Sequence, residues 1–290
     1  LGKLRGITTL DFLKQRGFSK KFIDHFFRPL NQANYADCSL QTPACIFTST
    51  MKHSAFGGSA LPAYGIGNIA VQLAEKLKEG TVHLHSRVKE VFDNGVELIS
   101  GEFVKAKSVI VCMPPHEIEK ILPTYKNERK FTRVTCMYFA TKTPPVNSPI
   151  ILLNGNEEGL VNNIFVPSTV QRSYAPPGSH LVSVTLKTIE EDMDEDELID
   201  KVLEELIDWF GIKVNDWTHL RTYVINRALP QIKVSDQHRY FEERNGIFFS
   251  GDYMSFASVN NAFLSGKSVA NAVNLHLSND YKRERGKVHL

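Results

Sequence analysis

The hydrophobic positions change period along the chain. From Thr8 to about residue 28, Leu10, Leu13, Phe18, Phe22, Ile23 and Phe26 recur at helical steps, with a break near Gly17. Residues 28–62 show no period and are rich in Asn, Ser, Thr and Gly, which predicts loops and short helical pieces. A helical stripe returns over 68–78 through Ile69, Leu73 and Leu77, and Gly80 ends it. From residue 81 the period becomes two: Val82, Leu84, Val88 and Val91 alternate. Residues 96–99, the turn Ser100-Gly101 and residues 103–106 then read as a hairpin. Residues 108–113 are an unbroken apolar run closed by Pro114-Pro115, which suits a strand buried on both faces. Further strands are expected at 131–140, 181–186, 222–225 and 247–250, with one or two short ones inside 143–180. Ala228-Leu229-Pro230-Gln231 reads as a break. The strongest helix is 194–210, where Leu198, Val202, Leu206 and their neighbours repeat every three or four residues. The acidic run 190–197 at its start complements the helix dipole and reads as a solvated helix start, not a metal site. A last helix covers 261–277, and the basic stretch 281–290 has no period and reads as a frayed tail.

Composition changes this picture little. The 290 residues are 42% hydrophobic and 23% charged, ordinary globular usage. Lys and Arg number 34 against 32 acids, a net charge of +2, which argues against a dedicated nucleic-acid binder. The length favours two lobes. No apolar run approaches the ~20 residues of a membrane-spanning helix, and peripheral membrane contact is left open. Cys38, Cys45, Cys112 and Cys136 show no CxxC spacing. They read as reduced, mostly buried thiols of a cytoplasmic or other reducing compartment. The sequence starts without Met or a signal-peptide core, which suggests a partial chain.

Three motifs mislead. Gly65-Ile66-Gly67-Asn68-Ile69-Ala70 fits G-x-G-x-x-A, but Pro62 and small residues precede it where a central strand is needed. Gly266-Lys267-Ser268 has Asn261 where a phosphate-binding loop needs Gly, and it lies inside a helix pattern. His83 and His85 share an expected strand face but have no third ligand nearby.

The segment 246–270 carries the chemistry. A buried strand delivers Gly251-Asp252 at its carboxyl end. Gly251 lets a ligand approach the backbone, and Asp252 can accept a hydrogen bond from a polyol or ribityl chain. The helix that starts near residues 260–262 offers free N–H groups and a dipole suited to developing negative charge. Ser265 and Gly266 are small enough for close packing on the sheet. The same stretch is also readable as an ordinary strand–loop–helix.

The order of parts resembles the flavin-containing amine oxidase superfamily, which includes amine oxidases, protoporphyrinogen oxidase and carotenoid desaturases. The strand, Gly251-Asp252, the loop and the helix start resemble its closing FAD motif. Leu61-Pro62-Ala63-Tyr64-Gly65-Ile66-Gly67, Ser86-Arg87-Val88-Lys89-Glu90-Val91, the strand before Pro114-Pro115 and Leu229-Pro230-Gln231 resemble its other segments in order. The resemblance implies FAD as cofactor. Val88 would hold the adenine through its backbone, and Gly251, Asp252, Ser258, Val259, Asn260, Asn261 and Ala262 would line the flavin end. It implies an α/β fold: a partial Rossmann-like FAD lobe (79–115 and 228–280) interleaved with an α+β substrate lobe (1–78 and 116–227). Three features depart from the family. The N-terminal GxGxxG strand–helix is not among these residues, so the missing N-terminal half of the FAD lobe would be a partner. Asn261 stands in the place of a Gly. Thr135 aligns with a Lys of many amine oxidases. The expected activity is FAD-dependent hydride removal from a small, mainly apolar or amine-bearing substrate, with no catalytic acid or base assigned. The alternatives are an amine oxidase proper and a non-catalytic binding remnant.

Overall fold

The computed structural model describes residues 4, 6–156, 158–187, 193–236 and 238–287, the stretch 279–287 as backbone only. Residues 190–192 of the acidic run and the end of the basic tail lie outside the described residues. The chain forms two compact units: Leu1–Lys78 with Phe131–Ser235, and Glu79–Lys130 with Asp236–Leu290. The chain changes units at 130/131 and 235/236, later than the expected 115/116 and 227/228. Packing explains both shifts, since Ile118 and Tyr125 belong to the core of the second unit and a strand of the first runs to Pro230.

In the first unit, Thr8 caps α1 (Thr9–Gln15) by accepting from the Asp11 N–H at 3.1 Å, and Gly17, at φ 79°, turns the chain away. Ser19 caps α2 (Lys20–Phe22) in the same way. A π-helical turn, Ile23–Phe27, joins α2 to α3 (Arg28–Tyr35). Then come α4 (Ala44–Gly57) and α5 (Asn68–Ala74). Leu13, Ile23, Phe27, Leu40 and Phe47 close a small core here. Residues 28–62 thus hold two well-formed helices where only short pieces were expected. The reason is that α4 buries only Ala44, Ile46 and Phe47 at one end, so no stripe repeats along it. In the stripe of α5, Ile69 is half-buried and Leu73 exposed, and Leu77 lies past its end.

A five-stranded antiparallel sheet completes this unit in the order β6-β7-β8-β5-β9. Its strands are β5 (Phe131–Thr141), β6 (Ile151–Leu153), β7 (Val161–Phe165), β8 (His180–Leu186) and β9 (Thr218–Pro230), with the short helix α7 (Pro167–Val170) before β8. Helix α8 (Glu195–Phe210) starts on an Asp194 cap and ends at Gly211, φ 77°. Its Leu198, Val202 and Leu206 seal one sheet face against Met137, Phe139, Ile164, Val182 and Val184. Alternation puts Val134, Cys136, Tyr138, Ser183 and Thr185 on the other face, where all stay half-buried. Strand β9 is far longer than the expected 222–225 because it pairs along all of β5. Pro230 falls opposite Phe131 at the strand end, where a missing N–H costs little.

The second unit holds the meander β1 (Val88–Phe92), β2 (Gly95–Leu98) and β3 (Phe103–Lys105), with the expected Ser100-Gly101 turn between the last two. Residues 81–87 are not strand, and His85 is at φ 60°, so the alternation read from residue 81 becomes a strand only at Val88. A second sheet has the order β10-β11-β4: β10 (Phe241–Arg244), β11 (Ile247–Ser250) and β4 (Val109–Val111), with β11 and β4 parallel. After β4, Pro114-Pro115 leads into α6 (Pro115–Ile121). Ile110 is 38% exposed, so β4 is buried on one face, not on both. Strand β10 was not expected. Its signal is Asn245-Gly246, both at positive φ (52° and 80°), the mark of a type I′ hairpin turn. Helix α9 (Val259–Lys287) passes over Phe248 through His276, and its backbone runs beyond the expected end at 277. Both units mix helices and sheets, in the expected α/β class. The four cysteines are all free, but Cys38 and Cys112 are exposed and Cys45 and Cys136 half-buried, so the expectation of mostly buried thiols is corrected.

Candidate functional site

Every residue of β11 is buried, with Val109 and Val111 of β4 beside it in the same core. The strand therefore fixes the position of Gly251 and of the turn after it. Gly251 is extended (φ 167°, ψ 161°), a backbone any residue adopts, so its freedom is not the point. A Cβ there would lie 2.4 Å from the Tyr253 ring, and the absent side chain makes room for that ring. The Gly251 N–H donates to Ser265 Oγ at 2.8 Å. Ser265 in turn donates to the Tyr240 carbonyl and accepts from Ser250 Oγ at 2.6 Å. One hydroxyl, 1% exposed, thus ties α9 to the end of β11 and to the start of β10. Sequence reasoning found Ser265 for its size and missed this junction.

Asp252 begins a single 3₁₀ turn, Asp252–Met254. Burial pushes its carboxyl above the usual 3.8, against the pull of the backbone N–H groups of Tyr253, of Asp252 itself and of Ser258. An ionised carboxylate has about four acceptor sites, so the group keeps capacity for a hydroxyl donor. Ser258 is the N-cap of α9, with its Oγ accepting from the Asn261 N–H at 3.1 Å. Asn261 is 3% exposed, and its Nδ2 donates to the Phe256 carbonyl at 3.0 Å. It ties down the loop before the helix. Val259, Asn260 and Ala262 face outward, and the N–H groups of Val259 and Asn260 have no intrahelical acceptor. Phe263, 45% exposed, continues the apolar surface of Val259 one turn on. Sequence reasoning passed over Phe263, although its i, i+4 spacing from Val259 was the available signal.

Val88 opens β1 and packs at the margin of the core that contains Tyr253 and Phe249. The structure therefore gathers Gly251, Asp252, Ser258, Val259, Asn260, Asn261 and Ala262 around one strand-to-helix corner, and sets Val88 on the neighbouring meander. Thr135 is 5% exposed and shares the covered sheet face with Met137 and Phe139; the open face at that level carries Val134 and Cys136. No Lys occurs in β5. Among the described residues there is no cluster of three metal-capable side chains and no helix long and apolar enough to cross a membrane.

The half-buried carboxylate of Asp252 is not lowered by any cationic partner, and an unblocked helix start lies beside it. This donor and acceptor set fits a flavin cofactor with a hydroxylated chain.

Comparison with known structures finds the same fold. An oxidoreductase from Methanosarcina mazei is similar over 92% of this chain and 68% of its own, with 17% identity and a TM-score of 0.72. Cyclohexylamine oxidase from Brevibacterium oxydans IH-35A is similar over 95% and 69%, with 12% identity and a TM-score of 0.64. A fatty acid isomerase from P. acnes is similar over 92% and 66%, with 14% identity and a TM-score of 0.63. The chain thus spans about two thirds of each of these, and 58% of a Pyrococcus furiosus protein with a TM-score of 0.61. No curated protein sequence matches it. The family described as flavin containing amine oxidoreductase matches residues 5–274, nearly the whole sequence, and the chain belongs to that family.

Proposed function

We propose that the chain forms part of an FAD-dependent oxidoreductase that removes hydride from a mainly apolar substrate. The observation that carries this reading is the corner at Gly251–Ala262, where a half-buried carboxylate with no cationic partner and an open helix start meet at the end of a buried strand. Asp252 would accept a hydrogen bond from a hydroxyl of the ribityl chain. The N–H groups of Val259 and Asn260 would favour a ligand edge that gains negative charge. The Val88 backbone would hold the adenine. Bound there, the flavin supplies the two-electron acceptor, and the protein supplies position and electrostatics. A reducing compartment, cytoplasmic or other, suits four free thiols.

Two observations speak against an amine oxidase proper. Strand β5 offers no Lys, and Ser258 supplies a helix cap where an amine clamp needs an aromatic ring. The test uses the protein expressed from its complete reading frame. It should carry a yellow band whose cofactor, released by heat, is FAD. A protein that stays colourless after incubation with FAD overturns the proposal. Anaerobic mixing with aryl, alkyl and polyamine substrates should leave the band unbleached; rapid bleaching by any of them would restore the amine-oxidase reading.

A further inference from the structure

The second unit contains a cavity of about 480 Å³ that is lined by none of the candidate flavin residues and meets their corner only through Tyr253 and Met254. Four cations, Lys126, Arg129, Arg239 and Arg244, line it together with two acids, Glu128 and Glu242, for a lining charge of 4 − 2 = +2. Two of the guanidinium groups are held in place. Arg244 forks onto Glu242, with Nε–Oε1 2.5 Å and Nη2–Oε2 3.1 Å, and lies 4.8 Å from the centre of the buried Tyr125 ring. Arg129 Nη1 donates to the carbonyls of Tyr253 and Ser255, and its Nη2 is 3.8 Å from Asp236. The main chain of Arg239 is pinned as well, its N–H donating to the Met254 carbonyl at 3.3 Å.

These anchors order the Arg244 and Arg129 guanidiniums but do not explain why four cations converge. Arg244 and Glu242 form a closed pair. Arg129, Arg239 and Lys126 then gather about the same hollow, with Glu128 on its wall and Asp236 beside Arg129. Even with Asp236 counted the balance is positive, +2 − 1 = +1. A guanidinium has five N–H donors in a fixed fork, and two carbonyls and one carboxylate do not exhaust those of Arg129. Two ordered guanidiniums with the Arg239 and Lys126 cations around one space suit an anion with oxygens in three directions better than a flat carboxylate, which one fork can hold. For Arg129 and Arg244, little ordering cost remains for a ligand to meet.

We infer that this cavity binds the phosphate group of a small phosphate monoester, at a site separate from the candidate flavin residues. The probe is phenyl phosphate, titrated calorimetrically into the folded 290-residue chain at low salt, with inorganic phosphate and benzoate as parallel arms. Saturable one-to-one binding is expected, with inorganic phosphate competing and benzoate binding at least about tenfold more weakly. Arg239→Gln and Lys126→Gln should each weaken phenyl phosphate about tenfold or more while leaving the unfolding temperature unchanged. Absence of saturable binding, benzoate binding as tight as phenyl phosphate, or unchanged affinity in both folded variants would each overturn the assignment. None of these outcomes depends on the flavin.

Discussion

Each unit of the molecule holds a half-buried carboxylate that accepts backbone N–H groups, and the two are used differently. Glu205, on α8, accepts from Leu160 N–H at 2.6 Å, from Val161 N–H at 3.0 Å and from Asn154 Nδ2 at 3.2 Å. A Cβ on Gly159 would fall 2.3 Å from it, and that glycine is at φ 80°, so the loop is built around the acid. Asp252 also accepts backbone N–H groups, yet burial still holds its proton more tightly than in water. Glu205 bonds a loop more than forty residues earlier, whereas the donors of Asp252 come from its own turn and the start of the next helix. A buried polar group that the fold does not fully satisfy is where an external donor gains most. The contrast separates a carboxylate that makes structure from one that makes a site.

The largest expected effect lies on the closed side. Glu205→Ala would leave the Leu160 and Val161 N–H groups without their acceptor, while the Asn154 amide keeps the Glu158 and Val161 carbonyls, at a cost of roughly 3 kcal/mol in urea unfolding. Flavin content per folded molecule of the complete protein should not change. A loss under about 1 kcal/mol would mean that water replaces the carboxylate, and Glu205 would no longer serve as the closed reference.

On the open side, Asp252→Asn should weaken flavin binding in the complete protein roughly tenfold to a hundredfold, the worth of about 1.5–3 kcal/mol for a charged hydrogen bond. Equilibrium dialysis or flavin fluorescence reads this directly. Equal flavin affinity in wild type and variant would remove Asp252 from the site.

Two serines grade the corner between these extremes. Ser265→Ala removes the acceptor of the Gly251 N–H and the link to Tyr240, and should cost about 1–2 kcal/mol of stability. Ser258→Ala removes only the cap of α9 and should cost about 1 kcal/mol, with Ser258→Gly recovering most of it. Urea unfolding of the three variants tests the order. A larger loss at Ser258 than at Ser265 would place the weight of the corner on the cap.

How much of this was legible in the sequence depends on periodicity. Helix α8 announces itself because Leu198, Val202 and Leu206 repeat along one face and are buried together. Strand β8 is legible from its alternation and β11 from its unbroken apolar run. Helix α4 is not, because its buried residues crowd one end. Strand β10 hides because Glu242, Glu243 and Arg244 leave it almost no apolar residue, although Asn245-Gly246 marks its turn. At the corner, sequence named the residues but not their tasks. Whether Ser258 caps a helix and Asn261 reaches back to Phe256 depends on where one helix starts. Glu205 could not be found at all, since its donors come from a loop more than forty residues earlier.

The smallest expected effect is the most discriminating. The Asp252 carboxyl has a folded pKa above its ordinary value of 3.8, so the folded chain binds this proton more tightly than the unfolded one. The stability this group contributes is therefore fully present below 3.8, is lost as pH rises through the raised folded value, and is constant above it. Asparagine carries no charge at any pH and escapes the loss. In the flavin-free chain, Asp252→Asn should unfold at a higher temperature than wild type near pH 7, and the difference should shrink towards zero as pH falls below 3.8. The same substitution would then stabilise the fold while weakening the cofactor, the pattern of a group kept for function at the expense of stability. A thermal-unfolding series from pH 3 to pH 7 decides the matter. If the variant is instead less stable at pH 7, the N–H bonds to the carboxylate outweigh its burial. Asp252 would then be a structural acid of the Glu205 kind, and the corner would lose the feature that distinguishes it.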